Sequence, residues 1–258
     1  HSFPTRRSSD LWRSAPVPSF ILPESFGIKN LSDAYQVQRK VVQLLRQNRG
    51  DLGGYKLALT SEPIQKLCGL SHPCTGYLFK SELLSGNRTI SQDGFGRLAI
   101  EFELAIKIGS DLSPRKKSWD RQSILPHIEA VLPALELVED RRASYENLDI
   151  LSVIADNSWS GDAVLGEPFY EWQNLDFDRL EVEKEINGEK ELASTGQALG
   201  NPFNSVVWMA NFFNNQEEII QAGDILMTGS TFASHFASKG DRLEYRIDQI
   251  GDVKIEIA

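Results

Sequence analysis

The chain has 258 residues, of which 41% are hydrophobic and 24% charged, and its formal net charge is -9. These values are typical of one large globular domain, or of one domain with a small helical appendage. An acidic protein repels nucleic acid and anionic lipid headgroups, and no apolar stretch approaches the roughly 20 residues that span a bilayer, so we expect neither nucleic acid nor a membrane as a partner. The two cysteines, Cys68 and Cys74, are too few for a disulfide scaffold or a structural zinc site, which favours a reducing compartment and predicts a cytoplasmic location.

We interpret the first eleven residues as a segment that does not belong to the natural protein. They read HSFPTRRSSDL, which is the peptide that a common sequencing-adapter oligonucleotide would encode. We therefore interpret residues 1–11 as a library artefact and expect the natural start of the protein to be missing. The alternative is a disordered basic tail.

Residues 12–49 are predicted to form an extended lead-in followed by one helix. Three prolines between residues 16 and 23 disfavour a helix in the lead-in. Either Asn30 or Ser32 can cap the helix that follows. Apolar residues recur there at three- and four-residue steps, at Ala34, Val37, Val41, Leu44 and Leu45. The sequence Asn48-Arg49-Gly50 is a suitable helix stop, so the main domain is predicted to cover residues 50–258.

The main domain is dominated by predicted strands. Residues 98–108 form the clearest strand, because apolar side chains alternate there with mostly polar ones. Asn187-Gly188 lies between two strand-like segments and predicts a hairpin. Other predicted elements are strands over residues 54–59, 150–155, 224–228, 242–248 and 252–257, an apolar segment over 126–137, helices over 62–67 and 202–213, and a loop over 72–76. This order predicts a mixed α+β domain and excludes regular βαβα alternation.

Glu101 and Glu103 lie two residues apart on the predicted strand 98–108. Side chains at this spacing share one face of a strand and lie roughly 7 Å from each other. Two carboxylates held together repel, and a hard divalent cation such as Mg²⁺ or Mn²⁺ relieves the repulsion. The alternative is an amphipathic strand with a solvated acidic face.

Two other charged residues stand in apolar surroundings. Glu136 is flanked by apolar residues on both sides, and such a carboxylate is exposed by alternation, paired with a cation or bound to a metal. Lys56 is the only charged residue between positions 53 and 60. Near a carboxylate cluster it is a candidate general acid or base, and otherwise it projects from a strand into water.

Two polar turns are candidate substrate-binding segments. The turn 156–161 and the sequence Gly229-Ser230-Thr231 each follow an apolar segment with a group of hydrogen-bonding residues, which suits a carboxylate substrate. The same residue types also favour turns for local reasons. The sequence contains no phosphate loop, dinucleotide fingerprint, nucleophile elbow or His-Glu-x-x-His motif.

The segments that carry these residues also form an ordered set. They are DAYQVQ (33–38), GYKLALTS (54–61), IEFELAI (100–106), PALELVEDR (133–141), IADNSWSG (154–161), VLG (164–166), NPFNSVVWMAN (201–211), AGDILMTGS (222–230) and KGDRLEYRID (239–248). In this order they resemble the 2-oxopent-4-enoate hydratase branch of the fumarylacetoacetate hydrolase superfamily, from about Leu31 to the end of the chain. Each segment by itself is weak evidence for the family, whereas the whole set in this order is strong evidence.

The resemblance implies a β-roll or barrel core with flanking helices and a catalytic domain over residues 50–258. It implies a metal-dependent hydratase that adds water to a 2-hydroxy-2,4-dienoate (a 2-oxo-4-enoate) and yields a 4-hydroxy-2-oxo acid in the catabolism of aromatic compounds. It further implies a homo-oligomer. The implied metal ligands, to one Mg²⁺ or Mn²⁺, are Glu101, Glu103 and Glu136, with Lys56 beside the substrate. The implied substrate-binding residues are Asp156, Asn157, Ser160, Ser230 and Thr231.

One position departs from the family pattern. Hydratases of this branch usually carry an acidic residue in the loop after the lysine strand, and here Cys74 stands at that position. His72 is the candidate replacement as the catalytic partner of Lys56, because histidine is a common general acid or base. Two alternatives therefore stay open: a metal-dependent C–C hydrolase or decarboxylase of acylpyruvate-like or 2-oxo-dicarboxylic acids, and a non-catalytic ligand-binding homologue.

Overall fold

The computed structural model describes residues 21–22 and 24–258. The segment interpreted as a library artefact, residues 1–11, and most of the predicted lead-in lie outside the described residues. Within the described ranges the chain forms a mixed, strand-dominated α+β fold with flanking helices, which confirms the fold class predicted from the sequence. None of the described helices is long and apolar enough to cross a membrane.

Five α-helices and thirteen strands lie in the described ranges. The helices are α1 (Leu31–Arg49), α2 (Glu62–Leu67), α3 (Arg121–Ile124), α4 (Ile150–Ala155) and α5 (Pro202–Asn214). The first strands are β1 (Leu52–Ala58), β2 (Cys74–Phe79), β3 (Leu83–Ser85), β4 (Arg88–Ile90), β5 (Leu98–Ile108), β6 (Ile128–Glu139) and β7 (Asp162–Leu165). The later strands are β8 (Glu181–Ile186), β9 (Glu189–Ser194), β10 (Ile225–Ser230), β11 (His235–Phe236), β12 (Arg242–Ile247) and β13 (Gly251–Ile257).

The strands form two sheets. The larger sheet has the order β2-β1-β10-β5-β6-β7-β3, and β11 pairs with the beginning of β5. Its centre is the long antiparallel pair β5–β6. The smaller sheet has the order β4-β13-β12-β8-β9. Its strands β8 and β9 form the hairpin predicted at Asn187-Gly188, and both turn residues adopt the positive φ that such a tight turn requires.

The smaller sheet packs against one face of β5. The apolar residues of β5 that point to this side are Ile100, Phe102, Leu104, Ile106 and Ile108, all without solvent exposure. From the smaller sheet, Tyr245 of β12 meets them, with its ring 5.8 Å from that of Phe102. Because successive side chains of a strand alternate between faces, Glu101 and Glu103 lie on the opposite side of the larger sheet. The main core therefore fixes which face of β5 carries the acidic residues.

Most predicted elements are confirmed, and one is wrong. The helix over 62–67 and the strand over 98–108 have the predicted bounds, and the helix predicted over 202–213 is one residue longer. Residues 150–155, which were predicted to form a strand, form helix α4. The Asp149 carboxylate caps this helix by accepting a hydrogen bond from the backbone nitrogen of Ser152. The predicted loop 72–76 is shorter than expected, because β2 begins at Cys74 and pairs with β1.

The substitution Gly54→Ala is expected to destabilise the fold strongly. Gly54 has a φ of +146°, and a Cβ there would lie 1.9 Å from the carbonyl oxygen of Ile225 on the parallel neighbour β10. The backbone fixes the position of this Cβ, and its neighbour is a backbone carbonyl, so β1 and β10 would have to separate. We expect this to lower the free energy of unfolding by more than about 4 kcal/mol, measured by urea denaturation followed by circular dichroism.

Gly251→Ala is the matched control for this experiment. Gly251 has a φ of +140°, and no atom lies within 4 Å of the position of an added Cβ. The control variant therefore carries similar backbone strain without the clash, and we expect a loss of about 1–2 kcal/mol. Equal stability of the two variants would contradict the close approach of β1 and β10.

Candidate metal centre

Three glutamates converge on one face of the larger sheet. Glu101 and Glu103 share a face of β5, and Glu136 of β6 lies directly opposite Glu101 in the strand register. One carboxylate oxygen from each residue lies within 4.8 Å of those from the other two. Glu103 and Glu136 have no solvent exposure, whereas Glu101 is partly exposed. The structure thus brings together the three residues predicted to bind a metal.

Few hydrogen bonds reach these buried carboxylates. The backbone nitrogen of Gly229 donates to Oε2 of Glu103 at 2.8 Å, and Oγ of Ser234 donates to Oε1 of Glu101 at 2.7 Å. Among the described residues, no hydrogen-bond donor is found for Oε1 of Glu103 or Oε2 of Glu136. A buried polar atom without a partner is costly and points to a missing ligand or proton.

Lys56 supplies the positive charge next to this cluster. It lies on β1, is 2% exposed, and places its Nζ 2.6 Å from Oε1 of Glu136. Burial by itself lowers the pKa of Lys56, but the carboxylates of Glu136 and Glu101 outweigh it, so the pKa is raised and the side chain is an ammonium. The structure therefore also brings Lys56 to the predicted metal ligands.

The charges of the cluster fit a divalent cation. Burial raises the pKa of Glu103 well above its usual range, and the neighbouring charges of Glu136 and Glu101 add to the effect. Burial also raises the pKa of Glu136, although Lys56 opposes it. When all three carboxylates are ionised, the ammonium of Lys56 leaves two negative charges uncompensated, which is the charge that one divalent cation balances. All donors are carboxylate oxygens, the ligand type that Mg²⁺ and Mn²⁺ prefer.

The turn after α4 is held against β2 by its own side chains. The amide of Asn157 accepts from the backbone nitrogen of Tyr77 at 2.8 Å and donates to the carbonyl of Tyr77 at 2.9 Å, and Ser160 Oγ donates to the same carbonyl at 3.0 Å. Gly76 permits this approach, since a Cβ there would lie 2.6 Å from the carbonyl oxygen of Asn157. The side-chain hydrogen bonds of Asn157 and Ser160 thus position the turn against β2.

This turn has an unusual backbone. Asn157, Ser158 and Trp159 have consecutive φ values of 56°, 52° and 56°, in the left-handed region that non-glycine residues rarely adopt. Such conformations persist only where surrounding contacts hold them, as the bonds to β2 do here. Gly76 pairs with Lys56 in the β1–β2 register, so the turn is anchored beside the lysine strand.

The remaining predicted substrate-binding residues also make internal contacts. Asp156 forms an ion pair with Arg141, with Oδ2 and Nε 2.9 Å apart. Ser230 lies opposite Glu103 in the register, and its Oγ accepts a hydrogen bond from the backbone nitrogen of Phe102. Thr231 Oγ1 donates to the carbonyl of Phe102. Ser230 and Thr231 therefore tie the end of β10 to the strand that carries the glutamates.

His72 lies apart from the glutamates. Its ring lies 6.0 Å from that of Trp208, and both rings line a cavity of about 650 Å³ between α1 and α5. Neither Lys56 nor any of the three glutamates lines this cavity. Cys74 is fully buried with its Sγ 3.8 Å from Ser158 Oγ, and burial raises its pKa to about 11, so it is a neutral thiol.

Sequence reasoning did not predict two hydrogen bonds to the cluster, although Gly229 belongs to a predicted substrate-binding segment. The backbone nitrogen of Gly229 and the hydroxyl of Ser234 bind Glu103 and Glu101 respectively. Gly229 lies in the AGDILMTGS segment, so its position could have been suspected from the ordered set. Ser234 lies in no motif, and only the pairing of β11 with β5 brings it to Glu101.

The chain is similar to known proteins over most of its length. Residues 62–258 match the fumarylacetoacetate (FAA) hydrolase C-terminal domain. The 2-keto-4-pentenoate hydratase of Paraburkholderia xenovorans (strain LB400) is 30% identical over 240 residues, covering 91% of this chain and 87% of the relative. A 4-oxalocrotonate decarboxylase of Pseudomonas putida is 28% identical over 226 residues, covering 86% and 83%. The solved 4-oxalocrotonate decarboxylase from Pseudomonas putida G7, complexed with magnesium and adipate, has a TM-score of 0.84 at 25% identity, over 97% of this chain and 94% of that chain.

The stability of the fold is expected to depend on the protonation of Asp156. Burial raises the pKa of Asp156 from 3.8 to about 6, against the opposing effect of Arg141 and Arg49. Ionisation is then easier in the unfolded chain, so the folded protein loses stability as the pH rises between these two values. Asp156→Asn cannot ionise. We expect its stability advantage over the wild type to grow between about pH 4 and pH 6, to at most about 3 kcal/mol, and then to stay constant.

Urea denaturation of both proteins at several pH values across this range measures the difference. The wild type at a pH below about 3 is the internal control, because Asp156, whose pKa is 3.8 in the unfolded chain, is then mostly protonated in both states. A variant that is less stable than the wild type at neutral pH would mean that the ion pair with Arg141 outweighs the cost of burial.

Proposed function

The chain belongs to the fumarylacetoacetate hydrolase family, and on that premise we propose that it is a divalent-metal-dependent hydratase. The proposed reaction adds water to a 2-hydroxy-2,4-dienoate and yields a 4-hydroxy-2-oxo acid, in the catabolism of aromatic compounds. The observation that carries the proposal is the buried cluster of Glu101, Glu103 and Glu136 with Lys56 against it. The similarity to 2-keto-4-pentenoate hydratases at up to 30% identity supports the choice of reaction.

We assign Glu101, Glu103 and Glu136 as the residues that hold one Mg²⁺ or Mn²⁺. Their donor set and uncompensated charge support the assignment, as does the magnesium in the solved 4-oxalocrotonate decarboxylase. When bound, a divalent cation supplies Lewis-acid stabilisation of the enolate form of a 2-oxo acid.

Lys56 is the proposed proton donor and acceptor. Its ammonium is buried next to the glutamate cluster, where bulk water does not compete for its proton. A cation at the cluster would compete with Lys56 for the charge of Glu136, which frees the ammonium to interact with substrate. A positioned group of this kind typically accelerates proton transfer by about 10²–10⁴-fold.

The polar residues around the cluster are proposed to shape the substrate site. Asp156, Asn157 and Ser160 hold the left-handed turn beside Gly76 and Lys56, and Ser230 and Thr231 hold the end of β10 beside Glu103. In this proposal they act mainly by fixing backbone groups that face the substrate.

A decarboxylase acting on a 2-oxo-dicarboxylic acid is the second candidate. The TM-score of 0.84 to 4-oxalocrotonate decarboxylase favours it, and so does the neutral thiol of Cys74 at the position where hydratases usually carry an acid. Both reactions use the enolate of a 2-oxo acid, so the same glutamates and Lys56 serve either one. The product distinguishes them, because only the decarboxylase releases carbon dioxide.

We further propose a cytoplasmic homo-oligomer with residues 50–258 as its catalytic domain. Both cysteines are free thiols, as suits a reducing compartment. Helix α1 supports this domain, because Gln38 donates hydrogen bonds to the carbonyls of Thr75 and Ile154 at 2.8 and 2.9 Å.

Glu103→Gln is expected to lose metal binding and to stabilise the metal-free protein. The substitution removes one ligand, so the affinity for Mn²⁺ should fall at least about 100-fold in a calorimetric titration. It also removes a carboxylate whose ionisation burial opposes, so urea denaturation in EDTA should show a higher free energy of unfolding. Glu256→Gln is the control, because its exposed carboxylate on β13 lies outside the cluster. Unchanged Mn²⁺ affinity in Glu103→Gln would exclude the metal assignment.

The hydration itself is tested by the ultraviolet absorbance of freshly generated 2-hydroxypenta-2,4-dienoate. With Mn²⁺ we expect loss of the dienol band and formation of 4-hydroxy-2-oxopentanoate, and EDTA should prevent both. Lys56→Met should lower the rate at least about 100-fold while Mn²⁺ still binds. His72→Ala tests the predicted role of His72, and full activity in that variant would remove His72 from the mechanism. No hydration by folded, metal-loaded protein would favour the decarboxylase.

A further inference from the structure

The three glutamates of the cluster are held to different extents by the rest of the protein. Glu103 accepts a hydrogen bond from the backbone nitrogen of Gly229. Glu136 forms the ion pair with Lys56. Both carboxylates are fully buried, so packing restricts their side chains as well. Glu101 is the partly exposed member, and its orientation therefore depends more on an individual contact.

Electrostatic repulsion acts against the convergence of Glu101 with the other ligands. Its neighbour in the register of β6 is Glu136, a second carboxylate. When both are ionised, like charges at directly opposite positions of a sheet are destabilising. Glu101 can relieve this repulsion by turning into water, because it is the member that solvent reaches. A contact that keeps Glu101 beside the other two carboxylates therefore favours the binding of a cation.

Ser234 makes such a contact. Its Oγ donates to Oε1 of Glu101 at 2.7 Å, a short distance that is typical of a hydrogen bond to a charged acceptor. With this bond in place, one carboxylate oxygen of Glu101 lies within 4.8 Å of one oxygen from each of Glu103 and Glu136. The orientation that Ser234 holds is thus the one in which the three ligands converge.

The pairing of β11 with β5 brings Ser234 to this position. His235 pairs with Ile100 in the antiparallel register, so the preceding residue, Ser234, lies next to Glu101. Ser234 and Glu136 therefore flank Glu101 on its two sides, one as a hydrogen-bond donor and the other as a like charge. None of the segments that resemble the family contains Ser234, so the contact is a feature of this chain and not one that the resemblance implies.

The segment that carries Ser234 is fixed on both sides. The backbone nitrogens of Thr231 and Ala237 donate to carbonyls of β5 at 2.9 and 3.0 Å. On the opposite face of β11, Nε2 of His235 lies 2.8 Å from Oδ2 of Asp241. Asp241 also accepts from Nδ2 of Asn187, in the turn of the β8–β9 hairpin. The hydroxyl of Ser234 is therefore presented from a backbone that both sheets hold.

We propose that Ser234 is a positioning residue, which holds the carboxylate of Glu101 in place and thereby strengthens the binding of a divalent cation at the glutamate cluster. The inference rests on the proposed function, since it assumes that the cluster is a metal site. Without the hydroxyl, Glu101 takes up further orientations in water, and binding of the cation has to restrict them. Residues that hydrogen-bond to a metal ligand typically contribute about 10–100-fold to metal affinity.

Calorimetric titration of Mn²⁺ into the full chain tests the proposal. We expect Ser234→Ala to bind Mn²⁺ about tenfold more weakly than the wild type, at the lower end of that range because Ser234 is exposed and water replaces part of its hydrogen bond. One ion should still bind per chain. Equal affinity of Ser234→Ala and the wild type overturns the proposal.

Ser234→Thr tests whether the hydroxyl is the group that matters. Threonine keeps the donor, and its added methyl group lies at an exposed position, so the affinity for Mn²⁺ should stay within about threefold of the wild type. A Ser234→Thr protein that binds Mn²⁺ as weakly as Ser234→Ala overturns the proposal.

Ser238→Ala is the matched control. Ser238 is also exposed and follows on the same segment, and its backbone nitrogen donates to Asp241, a bond that alanine retains. We expect the Mn²⁺ affinity of the wild type. A loss equal to that of Ser234→Ala would show a general effect of substitutions in this segment and overturn the proposal.

Urea denaturation separates positioning from folding. In EDTA, Ser234→Ala and Ser238→Ala should have the same midpoint as the wild type, because substitutions at exposed positions usually change stability little. In Mn²⁺, the midpoint of Ser234→Ala should rise less than that of the wild type, because a more weakly bound ion stabilises the folded state less. A lower midpoint in EDTA for Ser234→Ala alone would assign Ser234 to the fold and overturn the proposal.

Failure of the proposed function gives a different result. If the folded wild type does not bind Mn²⁺, both proposals are overturned. If the wild type binds Mn²⁺ and Glu103→Gln loses it as expected, while Ser234→Ala binds as tightly as the wild type, only the role of Ser234 is overturned.

Discussion

The burial of three carboxylates beside one ammonium is the constraint on which the rest of this structure depends. The β5–β6 register sets Glu101 opposite Glu136 and places Glu103 on the same face. A shift of one residue would turn these side chains into the apolar core and bring Phe102 to the acidic face. Like charges repel far more strongly in a buried site than in water. The cluster is therefore tolerable only when carboxylates take up protons or when positive charge compensates them; Lys56 supplies one positive charge and a divalent cation, in our proposal, the rest.

The surrounding fold holds this arrangement in two ways. On one side, the smaller sheet covers the apolar face of β5, so the acidic face cannot exchange with it. On the other side, the strained turn at Asn157 is fastened to β2 by its own amide, next to Gly76 and the lysine strand. Both sets of contacts hold the backbone in place at the point where the charges meet. Rigid positioning of this kind is what allows a few residues to act on a developing charge.

In our proposal, the chemistry at the glutamate cluster and the choice of substrate depend on different residues. The glutamates and Lys56 suit any reaction through the enolate of a 2-oxo acid, which explains why hydratases and decarboxylases are both among the similar proteins. Residues away from the glutamate cluster then determine which substrate is accepted. The neutral thiol of Cys74 is one such residue, because it lies near Lys56 at the position where hydratases usually carry an acid.

The sequence by itself determined the local features of this protein. Alternation along residues 98–108 predicted β5 and the shared face of Glu101 and Glu103, and Asn187-Gly188 predicted the hairpin, because both patterns depend on near neighbours. The local pattern of residues 150–155 predicted a strand, but these residues form a helix. Its N-cap at Asp149 outweighs the apolar, strand-like composition. Local patterns also left the three glutamates and Lys56 as separate possibilities, which only the resemblance to a family joined.

Only the tertiary structure decided which of these residues meet. Two strands, β10 and β5, lie between the strand of Lys56 and that of Glu136, and the chain separates the two residues by 80 positions, yet their charged atoms are 2.6 Å apart. The tertiary structure also brings the side chains of Asn157 and Ser160 to the backbone of β2. It places His72 in a cavity that none of the three glutamates lines, and it pairs Phe236 with Ala99. No periodic pattern in the sequence encodes such contacts. They arise from strand pairing between distant segments, and the order of strands in a sheet is a property of the whole chain.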